Sequence, residues 1–148
     1  MENQFANTAS SYPYSNAKRY NILVVDDEPD VTKVLKKGLE LHPMFLVHTF
    51  TNPEAALESI TKIVYDLMIV DIHMPKLDGF TFYEKAQKLA ESKVIFITAS
   101  DSYHEEYQRR FPQWNGNCFV RKPVSISALT HLIEIELGCT RAQIQPYN

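Results

Sequence analysis

Residues 65–80 read YDLMIVDIHMPKLDGF, and this stretch decides the fold. Positions 67–70 are apolar without interruption rather than at alternate positions. Such a run predicts a strand covered on both faces, as in a parallel sheet between layers of helices. Asp71 ends the run. Open α/β sheets bind their ligands in the crevice at the carboxyl ends of the strands, so Asp71 is the first candidate functional residue.

The size and composition of the chain fit one globular domain. Of its 148 residues, 45% are hydrophobic and 22% are charged, which suits one buried core. The net charge of −3 shows no general excess of the positive charge that binds nucleic acid, so we expect no direct nucleic-acid role. No apolar run approaches the roughly 20 residues that cross a bilayer. The first residues also lack the basic and apolar regions of a signal peptide, and we expect a cytoplasmic protein without membrane contact.

Apolar runs alternate with helical patterns along the rest of the chain. We predict strands at about 22–25, 45–50, 67–70, 94–97 and 118–120, and helices at about 29–41, 53–63, 78–89, 101–112 and 126–138. Five β-then-α units in succession predict an α/β fold with a doubly wound parallel sheet. The expected organisation is a flexible N-terminal extension at 1–19, one domain at 20–138 and a short tail at 139–148. Cys118 and Cys139 lack metal-ligand spacing and are expected to be free thiols.

Four of the five predicted strands end in a reactive or charged side chain, and a parallel sheet brings those ends to one edge. The side chains are Asp26 and Asp27, Asp71, Thr98 and Lys122. Taken singly, each has a common structural explanation, such as a helix cap or a solvated charge; only their joint placement indicates a site. Two carboxylates about 4 Å apart repel by about 4 kcal/mol at an effective dielectric constant near ~20, so the cluster implies a cation. Oxygen ligands favour Mg²⁺, and histidine or cysteine at zinc-ligand spacing is missing from the sequence.

Four separated motifs agree in order and spacing with one known family. They are VVDDEP at 24–29, VDIHMPKLDG at 70–79, ITA at 97–99 and VRKP at 120–123. Together they resemble the receiver domains of response regulators in two-component phosphorelays, over about residues 20–137. The resemblance implies a stand-alone receiver domain with a flavodoxin-like five-stranded sheet of order 2-1-3-4-5. It also implies phosphorelay signalling, with a sensor histidine kinase or a phosphotransfer protein as the donor.

The resemblance further implies a role for each matched residue. Asp71 accepts the phosphoryl group, and Mg²⁺ is held by Asp26, Asp27, Asp71 and the backbone carbonyl of His73. Lys122 supplies a second cation, which agrees with the need to offset charge on the transferred phosphoryl group. The Thr98 hydroxyl donates to a phosphoryl oxygen and moves inward on modification, and Phe119 is the aromatic residue that follows it. The Lys122–Pro123 bond is expected to be cis, a form that X-Pro bonds adopt at modest cost.

Three positions carry choices particular to this chain. His73 lies two residues after the acceptor and Ser100 two after Thr98. In the family these positions flank the phosphoryl group and influence how fast water removes it. We therefore hypothesise that His73 sets the lifetime of the phosphorylated state. Phe119 lacks the hydroxyl of the more common tyrosine, which predicts a bias toward a buried ring.

The output is expected to pass through a surface, because the residues after the last helix are too few for a DNA-binding domain. On that helix Ile135 lies opposite the apolar stripe, so it marks a candidate surface for an unknown target protein or for a homodimer through the fourth and fifth helices. We expect no enzyme beyond self-catalysed phosphotransfer and autodephosphorylation. Two alternatives stay open. One is an aspartyl-phosphate hydrolase, which needs a second acid where His73 stands; the other is an interaction module that is never phosphorylated.

Overall fold

The computed structural model describes residues 18–100, 104–112 and 119–139. Five parallel strands form one sheet of order β2-β1-β3-β4-β5, which confirms the predicted fold class and strand order. The strands are β1 (Tyr20–Val25), β2 (Phe45–Phe50), β3 (Leu67–Asp71), β4 (Lys93–Thr98) and β5 (Phe119–Arg121). The helices are α1 (Pro29–Leu39), α2 (Pro53–Ile60), α3 (Gly79–Leu89), α4 (His104–Arg110) and α5 (Ile126–Leu137).

The central strands are apolar on both faces because each face is covered by helices. On one face, alternate strand residues pack with α2, α3 and α4 around Phe80, Phe96 and Tyr107. On the other face, the intervening strand residues pack with α1 and α5 through Leu35 and Leu129. All five residues of β3 are buried, as its continuous apolar run predicts.

Local sequence signals fix the starts of four helices and the end of α5. Pro29 and Pro53 occupy first turns, and Asn52, Asp78 and Ser125 each accept a hydrogen bond from a backbone amide as N-caps. Gly138 ends α5 in the left-handed conformation with φ of 68°, which a glycine adopts without strain.

Three helices are shorter than predicted, among them α4, which ends at Arg110 rather than at residue 112. α1 ends at Leu39 rather than Leu41, since the amides of Leu41 and His42 bond three residues back and form a turn that leads into β2. α2 ends at Ile60 rather than Ile63 for the same reason, with the amide of Lys62 donating to the carbonyl of Ser59. The predicted N-terminal extension before residue 18, most of the predicted tail, and Cys118 lie outside the described residues. Cys139 is a free, buried thiol. In the described part of the chain, every helix is too short or too polar to cross a membrane.

Candidate functional site

Three carboxylates meet at the carboxyl edge of the sheet. Val25 in β1 lies opposite Val70 in β3, so the next residues along the two strands, Asp26 and Asp71, are level. One carboxylate oxygen from each of Asp26, Asp27 and Asp71 lies within 4.8 Å of the others. Asp26 is 1% exposed and Asp71 is 3% exposed, whereas Asp27 is half-buried. The sheet thus assembles the acidic cluster that the strand ends predict.

Lys122 brings a positive charge to this cluster from the end of β5. Its amide donates to the Thr98 carbonyl at 2.8 Å, which fixes the main chain beside β4, and the Lys122–Pro123 peptide is cis. The ammonium nitrogen Nζ lies 2.9 Å from Asp26 Oδ2 and 3.4 Å from Asp71 Oδ2. It also lies 3.7 Å from Glu28 Oε1, a contact that the sequence did not predict although Glu28 directly follows the acidic pair.

The surroundings of the site raise the pKa values of both Asp71 and Lys122. Burial and the nearby charge of Asp26 raise the pKa of Asp71 from 3.8 to about 6, against the opposing effects of Lys122 and the His73 amide. Burial lowers the pKa of Lys122, but Asp26, Asp71 and Glu28 raise it more, so that it lies above its ordinary value. The Lys122 ammonium group therefore stays charged. The surroundings of Asp71 disfavour its ionised form, and a further cation nearby would stabilise that form.

The donor set fits a magnesium ion. Oδ2 of Asp26 is buried and has no hydrogen-bond partner of good geometry among the described residues, its contact with Lys122 being an ion pair. A buried carboxylate oxygen in that situation is poorly satisfied and suits a metal ligand. The amide of His73 donates to Asp71 Oδ1 at 3.2 Å, so the main chain of His73 borders the cluster while its side chain is exposed. Carboxylate and carbonyl oxygens are the ligands that Mg²⁺ prefers.

The loop that carries His73 is pinned by the start of α3. The Gly79 amide donates to the Ile72 carbonyl at 2.8 Å. A β-carbon at Gly79 would lie 2.5 Å from the carbonyl oxygen of Asp71, so only glycine fits this close approach. Asp78 caps α3 through the Thr81 amide at 3.0 Å, which agrees with the helix start predicted for the Asp78-Gly79 pair.

Of the two predicted switch residues, Thr98 ends β4, whereas Phe119 begins β5 and lies opposite Phe96. Thr98 is buried, and its hydroxyl donates to the Ser100 carbonyl at 2.9 Å and accepts from the Ser100 amide at 3.1 Å. Phe119 is half-buried, with its ring centroid 4.4 Å from that of Tyr107 and 5.6 Å from that of Phe96. Its half-buried ring therefore packs against the core, and the predicted bias toward a buried ring stays a prediction.

Six rings between α3, β4, α4 and β5 form a group that we call the aromatic cluster. Neighbouring rings in it lie 4.4 to 6.5 Å apart, mostly edge to face or tilted. Its members are Phe80, Tyr83, Phe96, Tyr107, Phe111 and Phe119. The helical spacing of Tyr107 and Phe111 indicated an apolar face on α4, but the sequence did not show which rings would meet it.

Among the described residues, the histidines outside the site are structural or exposed. His42 is buried, stacks on Phe45 with centroids 3.9 Å apart, and accepts from the Met44 amide. Its Nε2 lies 3.5 Å from a carboxylate oxygen of Glu134, which links α5 to the turn after α1. His48 is half-buried beside Asn21, and His131 is exposed. The side chain of His104 lies outside the described part.

The fold and the acidic cluster with its lysine define a class of protein that the family comparison identifies. Residues 22–134 match the sequence profile of the response regulator receiver domain, and the chain belongs to this family, which serves in two-component phosphorelay signalling. Among its relatives is a probable transcriptional regulator, ycf27, of Cyanidium caldarium, 29% identical over 136 residues that are 90% of this chain and 53% of that protein. An uncharacterized 14.6 kDa protein of Leptolyngbya boryana is 30% identical over 77% of this chain and 87% of its own length.

Other matches share the receiver part of longer or separately solved proteins. A protein-glutamate methylesterase/protein-glutamine glutaminase of Thiobacillus denitrificans is 30% identical over 86% of this chain but only 38% of its own length. The chain thus spans about half or less of several curated relatives. The solved response regulator TrrA of Thermotoga maritima, in complex with Mg²⁺ and BeF, is 30% identical with a TM-score of 0.68, covering 80% of this chain and 99% of that one. A CheY-like receiver domain of Methanospirillum hungatei has a TM-score of 0.70 at 25% identity, covering 86% and 98%.

Proposed function

We propose that this domain, at residues 20–138 between an N-terminal extension and a short tail, is a Mg²⁺-dependent phosphoacceptor switch with Asp71 as the acceptor. The observation that carries the proposal is the meeting of Asp26, Asp27 and Asp71 with the Lys122 ammonium group at one strand edge. The Mg²⁺–BeF complex of the similar TrrA protein supports the same chemistry at this edge. A sensor histidine kinase or a phosphotransfer protein is the proposed donor.

The proposed transfer uses the ionised Asp71 carboxylate, which Lys122 and a bound Mg²⁺ would favour against the raised pKa of this group. One of its oxygens bonds to phosphorus as the bond from phosphorus to the donor's imidazole nitrogen breaks, and the electron pair stays with that nitrogen. Asp26, Asp27, Asp71 and the His73 carbonyl would hold Mg²⁺, which offsets charge on the phosphoryl oxygens. Lys122 moves its charge from Asp26 and Asp71 to the new phosphoryl group.

The switch that follows requires Thr98 and Phe119. The Thr98 hydroxyl now bonds to Ser100, so it must leave that partner before it can donate to a phosphoryl oxygen. The rings of Phe119 and Tyr107 pack edge to face, so a shift of Thr98 and its loop is transmitted to α4 and β5. Phosphorylation of Asp71 would thereby change the surface formed by α4, β5 and α5.

A target or a second copy of the chain is proposed to bind on that surface. Ile135 lies on the outer face of α5 with 61% of its surface exposed, away from buried Leu129 and Ile133. Ile135→Glu is therefore expected to reduce target binding or self-association while leaving phosphorylation intact. If the variant binds and associates like the native chain, this surface is not the output.

Intact-mass measurement tests the acceptor directly. Incubation with acetyl phosphate and Mg²⁺ is expected to add the mass of one phosphoryl group, and Asp71→Asn is expected to abolish the addition. A hydrolase would instead turn over phosphate without accumulating the adduct, although the second acid such enzymes need is replaced here by His73. A chain that never gains mass would be an interaction module and would overturn the proposal.

A further inference from the structure

Arg110 at the end of α4 makes a group of contacts with α3. Its Nε lies 3.2 Å from Glu84 Oε1 and its Nη2 lies 2.9 Å from Glu84 Oε2, so the guanidinium group binds the carboxylate with two parallel contacts. Paired contacts of this kind are the stronger form of an arginine–carboxylate bond. Nη2 also donates to the Thr81 hydroxyl at 3.3 Å. Arg110 thus joins α4 to two successive turns of α3.

Charge and burial make this contact stronger than a usual surface ion pair. Nη1 lies 3.5 Å from a carboxylate oxygen of Asp78 and 3.5 Å from one of Glu106, so three carboxylates surround one guanidinium group. The side chain is 24% exposed, and its charge lies 5.6 Å from the centroid of the Phe80 ring. Isolated exposed pairs contribute little, but a paired contact inside a network on an aromatic face contributes more.

The α3 end of this network is tied to the acceptor strand. Asp78 caps α3, and the next residue, Gly79, donates to the Ile72 carbonyl at 2.8 Å. The α-carbon of Gly79 also approaches the Asp71 carbonyl so closely that a β-carbon would lie 2.5 Å from it. The start of α3 therefore has a fixed position relative to Asp71, and Arg110 fixes α4 to the same frame.

The α4 end of the network is tied to Thr98. Only residues 99–103 separate Thr98 from the first residue of α4. The Thr98 hydroxyl is bonded to the Ser100 main chain, and the proposed switch requires it to leave that bond and approach Asp71. Phe96 of β4, two residues before Thr98, packs on Tyr107 of α4 with ring centroids 6.0 Å apart, so we expect a shift of the strand end to displace α4. A bond that holds α4 to α3 then opposes the shift.

We infer that Arg110 is a positioning residue that holds α4 against the start of α3 and so favours the resting arrangement of Thr98 over the phosphorylated one. The inference rests on the proposed function, because it concerns the equilibrium that phosphorylation shifts. Because Arg110 stabilises the resting arrangement, its removal lowers the free energy needed to reach the phosphorylated arrangement. Loss of the Arg110 side chain is thus expected to favour phosphorylation of Asp71 and the binding of a phosphoryl analogue there. Arg110 has this effect although it touches neither Asp71 nor the metal ligands.

The test compares Arg110→Gln with Arg109→Gln in the full chain. Arg109 lies next to Arg110 on the same helix, is exposed, and its replacement changes the charge equally. Two readouts are taken in Mg²⁺: the initial rate of mass gain from acetyl phosphate, and the apparent affinity for beryllofluoride by calorimetry. We expect Arg110→Gln to raise both about three- to tenfold, the range that a small ion-pair network gives, and Arg109→Gln to change neither by more than about twofold.

Glu84→Gln supplies a second variant that breaks the same paired contact from α3. It is expected to act in the same direction, and Arg110→Gln/Glu84→Gln together are expected to show no more than the effect of Arg110→Gln alone. A residue that merely stabilised the fold would lower the rate and the affinity when removed. An increase therefore distinguishes positioning from general stability, and Glu84→Gln decides the question if Arg110→Gln does not fold.

The outcomes separate the two proposals. If the native chain gains no phosphoryl mass and binds no beryllofluoride, the proposed function fails. If the native chain does both, but Arg110→Gln and Glu84→Gln match Arg109→Gln or fall below it, the role of Arg110 is overturned and the phosphoacceptor function stands.

Discussion

Asp71 carries its charge in a place that disfavours it. The carboxylate is buried next to Asp26, and Lys122 compensates only in part, as the raised pKa of Asp71 shows. The consequence for stability follows from the sign of the shift. The pKa in the folded state lies above the ordinary value of 3.8, so ionisation destabilises the fold as the pH rises from about 4 to about 6.

Asp71→Asn is expected to raise the free energy of unfolding at pH 7.5 without Mg²⁺, by about 1–3 kcal/mol, because it removes this ionisation penalty. Near pH 4 both forms are neutral at position 71, and the gain should largely disappear. Urea unfolding at the two pH values measures the difference. Glu91→Gln, which removes an exposed carboxylate, serves as the control. Equal stability of Asp71→Asn and native chains at pH 7.5 would contradict the prediction.

Two glycines meet their neighbours in different ways. A β-carbon at Gly79 would lie 2.5 Å from the Asp71 carbonyl oxygen and 2.8 Å from the α-carbon of Ile72, which are main-chain atoms of β3 and its loop. A β-carbon at Gly38 would meet side-chain atoms of Ile126 at 2.7 to 2.9 Å. Side chains give way more easily than the main chain of a central strand, and Ala also has a higher helix propensity than Gly.

Gly79→Ala is expected to destabilise the fold by about 1–3 kcal/mol and to slow phosphorylation from acetyl phosphate, because the loop at Asp71 must move. Gly38→Ala is expected to change stability less and to leave phosphorylation unchanged. Urea unfolding and the rate of mass gain measure the two effects. A Gly79→Ala protein that is phosphorylated as fast as the native chain would show that the close approach does not position the site.

At the scale of elements, the outer edge of β2 is blocked by α1. β2 is an edge strand, and edge strands present unpaired amides and carbonyls to other chains. The Val47 carbonyl accepts from Lys36 Nζ at 2.6 Å, and the Val47 amide donates to Glu40 Oε1 at 3.2 Å. Lys36 and Glu40 also pair with each other at 2.9 Å. The two side chains thus occupy the amide and the carbonyl of Val47, which a second strand would need.

Replacing this pair by Lys36→Ala/Glu40→Ala is expected to increase self-association, because the β2 edge becomes available for pairing. Lys62→Ala/Glu58→Ala is the matched control, since that pair has the same spacing and charges but is exposed at the C-terminal end of α2. Light scattering over a series of protein concentrations measures the association. Two variants that stay equally monomeric would indicate that the edge needs no such protection.

The elements differ in how well the sequence predicted them. Buried strands and capped helix starts were predicted closely, because β-branched runs and residues such as Asn52, Asp78 and Ser125 act locally. The ends of α1 and α2 were placed two or three residues late, since apolar residues such as Leu41 and Ile63 continue the helical pattern while the main chain already turns toward the next strand. Local sequence patterns carry no signal of this competition between continuing the helix and turning toward the next strand.

For the whole molecule, the site was predictable because it consists of strand ends. Parallel topology alone brings Asp26, Asp71 and Lys122 to one edge, so their meeting follows from the order of the elements. The contacts of Arg110 with Glu84, and of Lys36 with Val47, depend on how helices pack on neighbours and on long, flexible side chains. Charged residues on a helix carry no local sign of the partner that they will reach.

The Mg²⁺ site should couple to the stability of the whole chain, because a ligand that binds only the folded state stabilises it. At ten times its dissociation constant, Mg²⁺ is expected to raise the free energy of unfolding by about 1.4 kcal/mol and the melting temperature by several degrees. Asp27→Asn should abolish the increase, whereas Asp30→Asn, an exposed acid in the first turn of α1, should keep it. Thermal unfolding with Mg²⁺ or with a chelator tests this, and a shift that survives Asp27→Asn would place the metal elsewhere.

The aromatic cluster has a consequence for how motion in this domain can be observed. A phenylalanine ring inside such a group can rotate half a turn about its own axis only when its neighbours briefly make room. Phe80 and Phe96 are both at most 1% exposed and both lie against Tyr107 of α4. The rates at which these two rings flip therefore report how often α4 loosens from the sheet. These rates can be measured from the line shapes of the ring protons in NMR spectra.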